Sequence, residues 1–133
     1  MRECRRLIGE HIITVNDLKS GKLPEDTIAL TSGGIDNNGT RLTPEQIRMP
    51  LYGIPYRALI PRETEGLLVA GKSLSCTHFA LGALRTQPIV AAFGQAAGMA
   101  AAMAARNKTG IRDIPLKELK QNLKTAGVLT KTV

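Results

Sequence analysis

Eighteen consecutive residues, Pro88 to Ala105, carry no formal charge, and most of them are Ala or Gly. No other stretch limits the fold so tightly. Pro88 suits the first turn of a helix, where its missing N–H is not needed. A helix is therefore predicted from near Gln87 to about Arg106, ahead of Gly110. Its length touches the lower limit for a membrane span, but Ala contributes little to insertion and Gln95 lies inside, so the reading is no membrane. Gly94 and Gly98, with Ala101, Ala102 and Ala105, are instead predicted to let the helix lie close against another backbone, tight on a parallel sheet.

That sheet needs strands, and "GLLVAG" (residues 66–71) is a short continuous apolar run, the pattern of a strand covered on both faces. Upstream, Thr14 and Asp17 have capping-box spacing and Gly21 is a stop, giving a short helix over "TVNDLKSG". "LIGEHIIT" and "DTIALTS" read as strands, the latter dissolving into the Gly/Asn-rich turn "GGIDNNGT". Pro44, Pro50, Pro55 and Pro61 forbid a continuous helix over residues 43–62, and "YRALI" between two of them is predicted to be a strand. A last helix fits "IPLKELKQNLKTAG": Leu116, Leu119 and Leu123 share one face, lysines 117, 120 and 124 take the other, and Gly127 caps it. The chain divides into residues 1–64, extended and strand-rich, and residues 65–133, a strand–helix–helix half.

Composition narrows the function classes. The 133 residues include no Trp, two Phe and two Tyr, so the core is Leu, Ile, Val and Ala. The net charge of +7 suits an anionic partner. The basic residues are scattered without interleaved aromatics, so no nucleic-acid stacking platform is visible and none is expected. Cys4 and Cys76 lie far apart with no metal-ligand spacing, and no metal is expected. No long apolar leader opens the chain, which favours a cytoplasmic setting.

In open α/β sheets, ligands bind beyond strand carboxyl ends and beside helix amino ends. The first N–H groups of the long helix lack internal partners and sit at the positive end of its dipole. Gly71, at the strand end, lets a ligand approach the backbone. Between Lys72 and Arg106 the only formally charged residue is Arg85. A buried guanidinium is costly unless paired, so Arg85 either meets a carboxylate elsewhere or faces an anionic ligand. Lys72 and Arg57 are further anion contacts, and His78 has a suitable pKa for proton donation near a substrate. Each has a plain structural alternative: a solvated lysine, a paired arginine, a satisfied histidine. Tyr56 reads as core. Cys76, two residues from His78, carries little sign of a nucleophile.

The run "GIPYRALIPRETEGLLVAGKSLSCTHFALGALRTQPIVAAFGQAAGMAAAMA" resembles the carboxyl-terminal part of FAD-dependent oxidoreductases of the glutathione-reductase and fumarate-reductase flavoprotein fold. "RECRRLIGEHIIT" resembles an upstream block of the same group, and "GIRDIPLKELKQNLKTAGV" its end. The resemblance implies an α/β, Rossmann-like fold with FAD as cofactor. It brings the strand matching "LLVAG" back to the nucleotide-binding sheet, and aims the amino end of the helix matching "QPIVAAFGQAAG" at the pyrimidine edge of the flavin. By position it puts Gly71 and Lys72 near the ribityl or diphosphate part and gives Thr86, Gln87 and Ile89 backbone contacts to the ring. Pro88 shapes that turn, Arg85 stands beside it, and His78 is the catalytic candidate. Many relatives have an acidic residue where this chain has Lys72. The G-x-G-x-x-G turn that holds the ADP half is absent, since no two of the 13 glycines have G-x-G spacing. The chain therefore reads as a carboxyl-terminal fragment. Its expected partners are a small-molecule substrate and either the missing amino-terminal FAD-binding half or a second copy. The alternative is a truncated module that oligomerises through its Ala/Gly helix and binds no cofactor.

Overall fold

The computed structural model describes residues 4–36 and 43–128. Among these residues five α-helices and two strands run in the order α1 (Val15–Ser20), β1 (Thr27–Thr31), α2 (Pro44–Ile47), β2 (Tyr52–Pro55), α3 (His78–Leu84), α4 (Gln87–Asn107) and α5 (Leu116–Thr125). The architecture is mixed α/β, and α4 is its spine. Ile89, Phe93, Ala96, Ala97, Ala100, Met103 and Ala104 are buried, the three- and four-residue spacing of a single helix face. That face packs on β1 and on α5. The opposite side stays open: Gln95, Gly98, Ala101 and Ala102 are exposed, and a Cβ placed at Gly94 or Gly98 would meet nothing within 4 Å. Close approach through these glycines is not made inside this chain, contrary to expectation. Among the described residues α4 is the one helix long and apolar enough to cross a membrane, and 33% of its most apolar window is buried within the protein.

The predicted helices form for the reasons read from their ends. Thr14 and Asp17 complete the capping box, with the Thr14 N–H donating to Asp17 Oδ2 at 2.7 Å and the Asp17 N–H to Thr14 Oγ1 at 3.3 Å. Gly21 closes α1 at φ +62°. At the end of α5 the Gly127 N–H reaches Lys124 O and the Val128 N–H reaches Leu123 O, a Schellman motif with Gly127 at φ +84°. α4 ends on Lys108, itself left-handed at φ 53°, before Gly110 is reached.

The strands depart from the reading. Among the described residues the one sheet is β1 paired antiparallel with β2, not a parallel array. "YRALI" is not a strand: Tyr56–Leu59 wind into a 3-10 turn, because Pro55 serves as its extended N-cap and β2 has already finished. "GLLVAG" is not a strand either. Residues 67–70 hold no regular structure, Leu67 is 46% exposed, and the Val69 N–H reaches across to Leu59 O at 2.8 Å. An apolar run becomes a strand only where neighbouring strands complete its ladder. The segment "LIGEHIIT" is extended between two others, with bridges Gly9–Pro61 and Ile13–Cys76 and no continuous ladder. The Gly/Asn turn at residues 37–40 lies outside the described residues.

Asp26 joins the two-stranded sheet to the turn after it. Its carboxylate takes the Arg57 backbone N–H (3.1 Å) and Nε (3.0 Å) on Oδ2 and Nη2 (3.3 Å) on Oδ1. Burial pushes the Asp26 carboxyl up, but the Arg57 hydrogen bonds and charge outweigh it and hold its pKa below the ordinary value of 3.8. A depressed folded pKa gives stability that is whole above the unfolded value and fades as pH falls through the folded one. Asp26→Asn is therefore expected to lower stability at pH 7, and to flatten its loss below about pH 4 in urea titrations followed by circular dichroism. A pH profile identical to the parent's would remove Asp26 from that role.

Two neighbouring positions on β2 predict opposite outcomes. A Cβ at Gly53 would stand 2.3 Å from Thr27 Oγ1 and 2.8 Å from its Cγ2. Gly53→Ala is expected to destabilise by about 1–3 kcal/mol through overpacking. Among the described residues the Tyr52 hydroxyl is buried with no hydrogen-bond partner at bonding distance. Burial raises its pKa well above the usual phenol range, against a weaker opposing pull from Thr31, its register partner. Tyr52→Phe removes an orphaned group and is expected to be neutral or stabilising by up to about 1 kcal/mol in the same assay.

Candidate functional site

The corner between α3 and α4 gathers the most sequence-predicted site residues. Thr86 is the N-cap of α4 in extended conformation, yet its side chain makes no capping bond, and Pro88 occupies the first turn. The amino end of a 21-residue helix thus opens without a side-chain cap. Thr86, Gln87 and Pro88 are exposed, while Ile89 turns into the core at 8% exposure. The turn Gly71–Ser73 packs against α4. Gly71 has φ +77°, a left-handed conformation that favours glycine, and open space where a Cβ would project. Lys72, beside it, is exposed.

Arg85 follows the last residue of α3 and meets the first of the two partners its isolation left open, a carboxylate. Its side chain is 13% exposed and pairs with Asp36: Nη2 donates to Asp36 Oδ2 at 2.9 Å and to Asp36 O at 2.7 Å. The carboxylate comes from the segment after β1, 49 residues away, which no local spacing signals. Among the described residues, both bonds fall on Nη2, which leaves Nε and Nη1 for another acceptor.

That segment lies on the corner through bare backbone. A Cβ at Gly33 would come within 2.9 Å of Ala83 O and 3.0 Å of Ile89 Cδ1, and one at Gly34 within 2.4 Å of Ile47 O. The Ile35 N–H donates to Ile47 O and the Asp36 N–H to Gly82 O, both at 3.3 Å. Gly33 is therefore needed for contact with α3 and α4, and Gly34 for contact with the end of α2, beyond any turn they make.

Not every candidate joins this corner. His78 is the first residue of α3 and Arg85 follows its last, roughly 10 Å along the axis. His78 is exposed and meets Phe79 edge to face, with ring centroids 5.3 Å apart. The helix α3 is not among the helices predicted from the sequence. Arg57 is engaged by Asp26, and Tyr56 is core, its hydroxyl donating to Ile111 O at 2.9 Å. Cys76 is buried.

Two clefts of about 400 Å³ flank α5 at opposite ends. One adjoins the α4 amino end and is lined by Leu30, Pro88, Ala91, Ala92, Gln95 and the α5 exit at Ala126–Val128. The other lies at the start of α5, between Leu116, the Asp26–Arg57 pair and Arg112. Arg112 was not anticipated. It donates to Glu10 Oε1 (2.6 Å), Glu65 Oε2 (2.5 Å) and Pro61 O (2.6 Å), joining three distant segments. No group of three or more potential metal ligands occurs among the described residues.

An anion-seeking helix end, a partly satisfied guanidinium beside it and an open glycine turn packed on the same helix suit a ligand with anionic or electron-rich oxygens. No curated protein and no solved structure matches the chain. The family model described as FAD dependent oxidoreductase matches residues 1–123, nearly the whole sequence. The chain belongs to the FAD-dependent oxidoreductase family, whose cofactor is FAD.

Proposed function

We propose that this chain supplies the flavin-ring end of an FAD site for electron transfer with a small substrate, within a Rossmann-like enzyme of which it is the carboxyl-terminal part. The observation that carries the reading is the uncapped, solvent-open amino end of α4 with Arg85 beside it. The residues fit the cofactor. The N–H groups of Gln87 and Ile89 belong to a first turn that no side chain caps. Gly71 leaves room for a ligand at van der Waals distance from the backbone. FAD, when bound, supplies hydride acceptance and donation at flavin N5.

The chain's own contribution is electrostatic. Helix N–H groups and a fixed guanidinium stabilise negative charge at the pyrimidine edge without reorganising. Pro88 fixes the first turn in place. Lys72 and the Gly71 turn are assigned to the ribityl or diphosphate portion, and His78 to a proton at the substrate. His78 is exposed, so its substrate would reach it from the solvent side of α3.

The missing part is the amino-terminal half with the ADP-binding turn. Three features support that reading: the absent G-x-G spacing, the half-exposed Leu67 in a run suited to a central strand, and the open Gly94/Gly98 side of α4. That same small-residue side also favours a second reading, in which two copies pair through α4 and bind no cofactor.

Titrating FAD into the purified chain and following flavin fluorescence separates the two. Saturable quenching is expected, with Arg85→Ala weakening binding about tenfold at unchanged circular dichroism, the loss of one charge-assisted contact. No quenching, together with a dimer mass in sedimentation, would establish the second reading instead.

A further inference from the structure

We propose that Asp36 is a positioning residue for the flavin site, acting through Arg85; the inference rests on the reading just given of the α4 amino end. Arg85 is nearly buried, and a guanidinium there needs a compensating acceptor. Asp36 provides two, its carbonyl oxygen at 2.7 Å and its carboxylate at 2.9 Å, and both fall on Nη2. A side chain held at one nitrogen by two acceptors of the same residue has its plane fixed. The N–H groups on Nε and Nη1, which lie on different sides of the plane's outline, are then each held in a fixed direction instead of sweeping through several rotamers.

Asp36 is itself held. Its N–H donates to Gly82 O in α3, and the preceding Ile35 is buried and donates to Ile47 O. Gly33 and Gly34 bring the segment in at distances that a Cβ would forbid. The clamp thus runs from β1 through the glycines to Asp36, from Asp36 to Arg85, and from Arg85 to Thr86 and the first turn of α4. The Asp36 carboxylate is 63% exposed, so its removal leaves no buried unpaired acceptor behind.

The consequence is directional. A guanidinium fixed beside the electron-accepting ring raises the ring's affinity for electrons and holds its anionic edge, while a wandering one does less of both. The test uses the whole chain loaded with FAD, comparing the parent with Asp36→Ala, Asp36→Asn and Asp36→Glu. The readouts are the dissociation constant from flavin fluorescence and the midpoint potential against a reference dye. Asp36→Ala is expected to raise the dissociation constant about tenfold and Asp36→Asn about threefold, both moving the potential negative, with Asp36→Glu restoring most of each. A loss of stability with an unmoved potential would make the pair merely structural and overturn the proposal. So would unchanged affinity and potential in the isosteric Asp36→Asn. A parent chain that takes up no FAD would instead overturn the expectation that the α4 corner holds the flavin by itself, on which the proposal stands.

Discussion

Burial of one face of α4 is the contact on which the rest of this structure depends. Phe93, one of two phenylalanines in the chain, is fully buried on that face, between Ile89 and the alanines that follow. Alanine lets β1 and α5 come close without large side chains between them, so a core with few aromatics still packs densely. Because α4 meets β1, α5 and the Gly71–Ser73 turn, its axis fixes where its amino end points. The amino end has no freedom of its own: the face that Ile89 begins also sets the direction in which Thr86 and Gln87 open to solvent.

Three arginines then tie distant chain segments around that spine, each in a different setting. Arg57 holds the buried Asp26 with three donors and is itself half exposed, so the pair serves its carboxylate. Arg112 gathers Glu10, Glu65 and the Pro61 carbonyl, tying the amino-terminal segment to the loop after the 3-10 turn. Arg85 reverses the Asp26 arrangement, since its guanidinium is buried and its carboxylate exposed. A nearly buried cation with, among the described residues, one nitrogen bonded is the arrangement that leaves a charge to be shared with a ligand. Of the three, it is the one that directly precedes the amino end of α4.

Much of this was legible wherever the cause was local. The Thr14–Asp17 box, Pro88 in a first turn and Gly127 past a Leu-faced helix each fix a terminus by chemistry within a few residues, and the structure places all three helices as read. Where the cause was non-local, the reading went astray. "LLVAG" is as apolar as any central strand, but a ladder requires partners that the sequence of the run does not specify. "YRALI" was bounded by prolines in either conformation, and Pro55 turned out to cap a 3-10 turn. α3 was hidden because Thr77 does not use its side chain as a cap, and the helix has no charged face to mark its period. For Arg85 the two possibilities were correctly framed, and only the fold could supply Asp36, 49 residues away.

Three open features bear on the proposal of an incomplete site. Three elements that sequence logic would bury remain open: Leu67 at the head of the apolar run, the Gly94/Gly98 side of α4, and the amino end of α4. Each needs a different complement. An apolar run in extended chain takes a strand edge, glycines spaced four apart take a closely approaching backbone, and a helix amino end takes an anion. A nucleotide-binding half that brought its own sheet and its dinucleotide would offer all three at once. A second copy pairing through α4 would cover the glycine side while leaving the helix amino end unfilled. The anion-seeking corner at Arg85 is thus the feature that favours the first complement over the second.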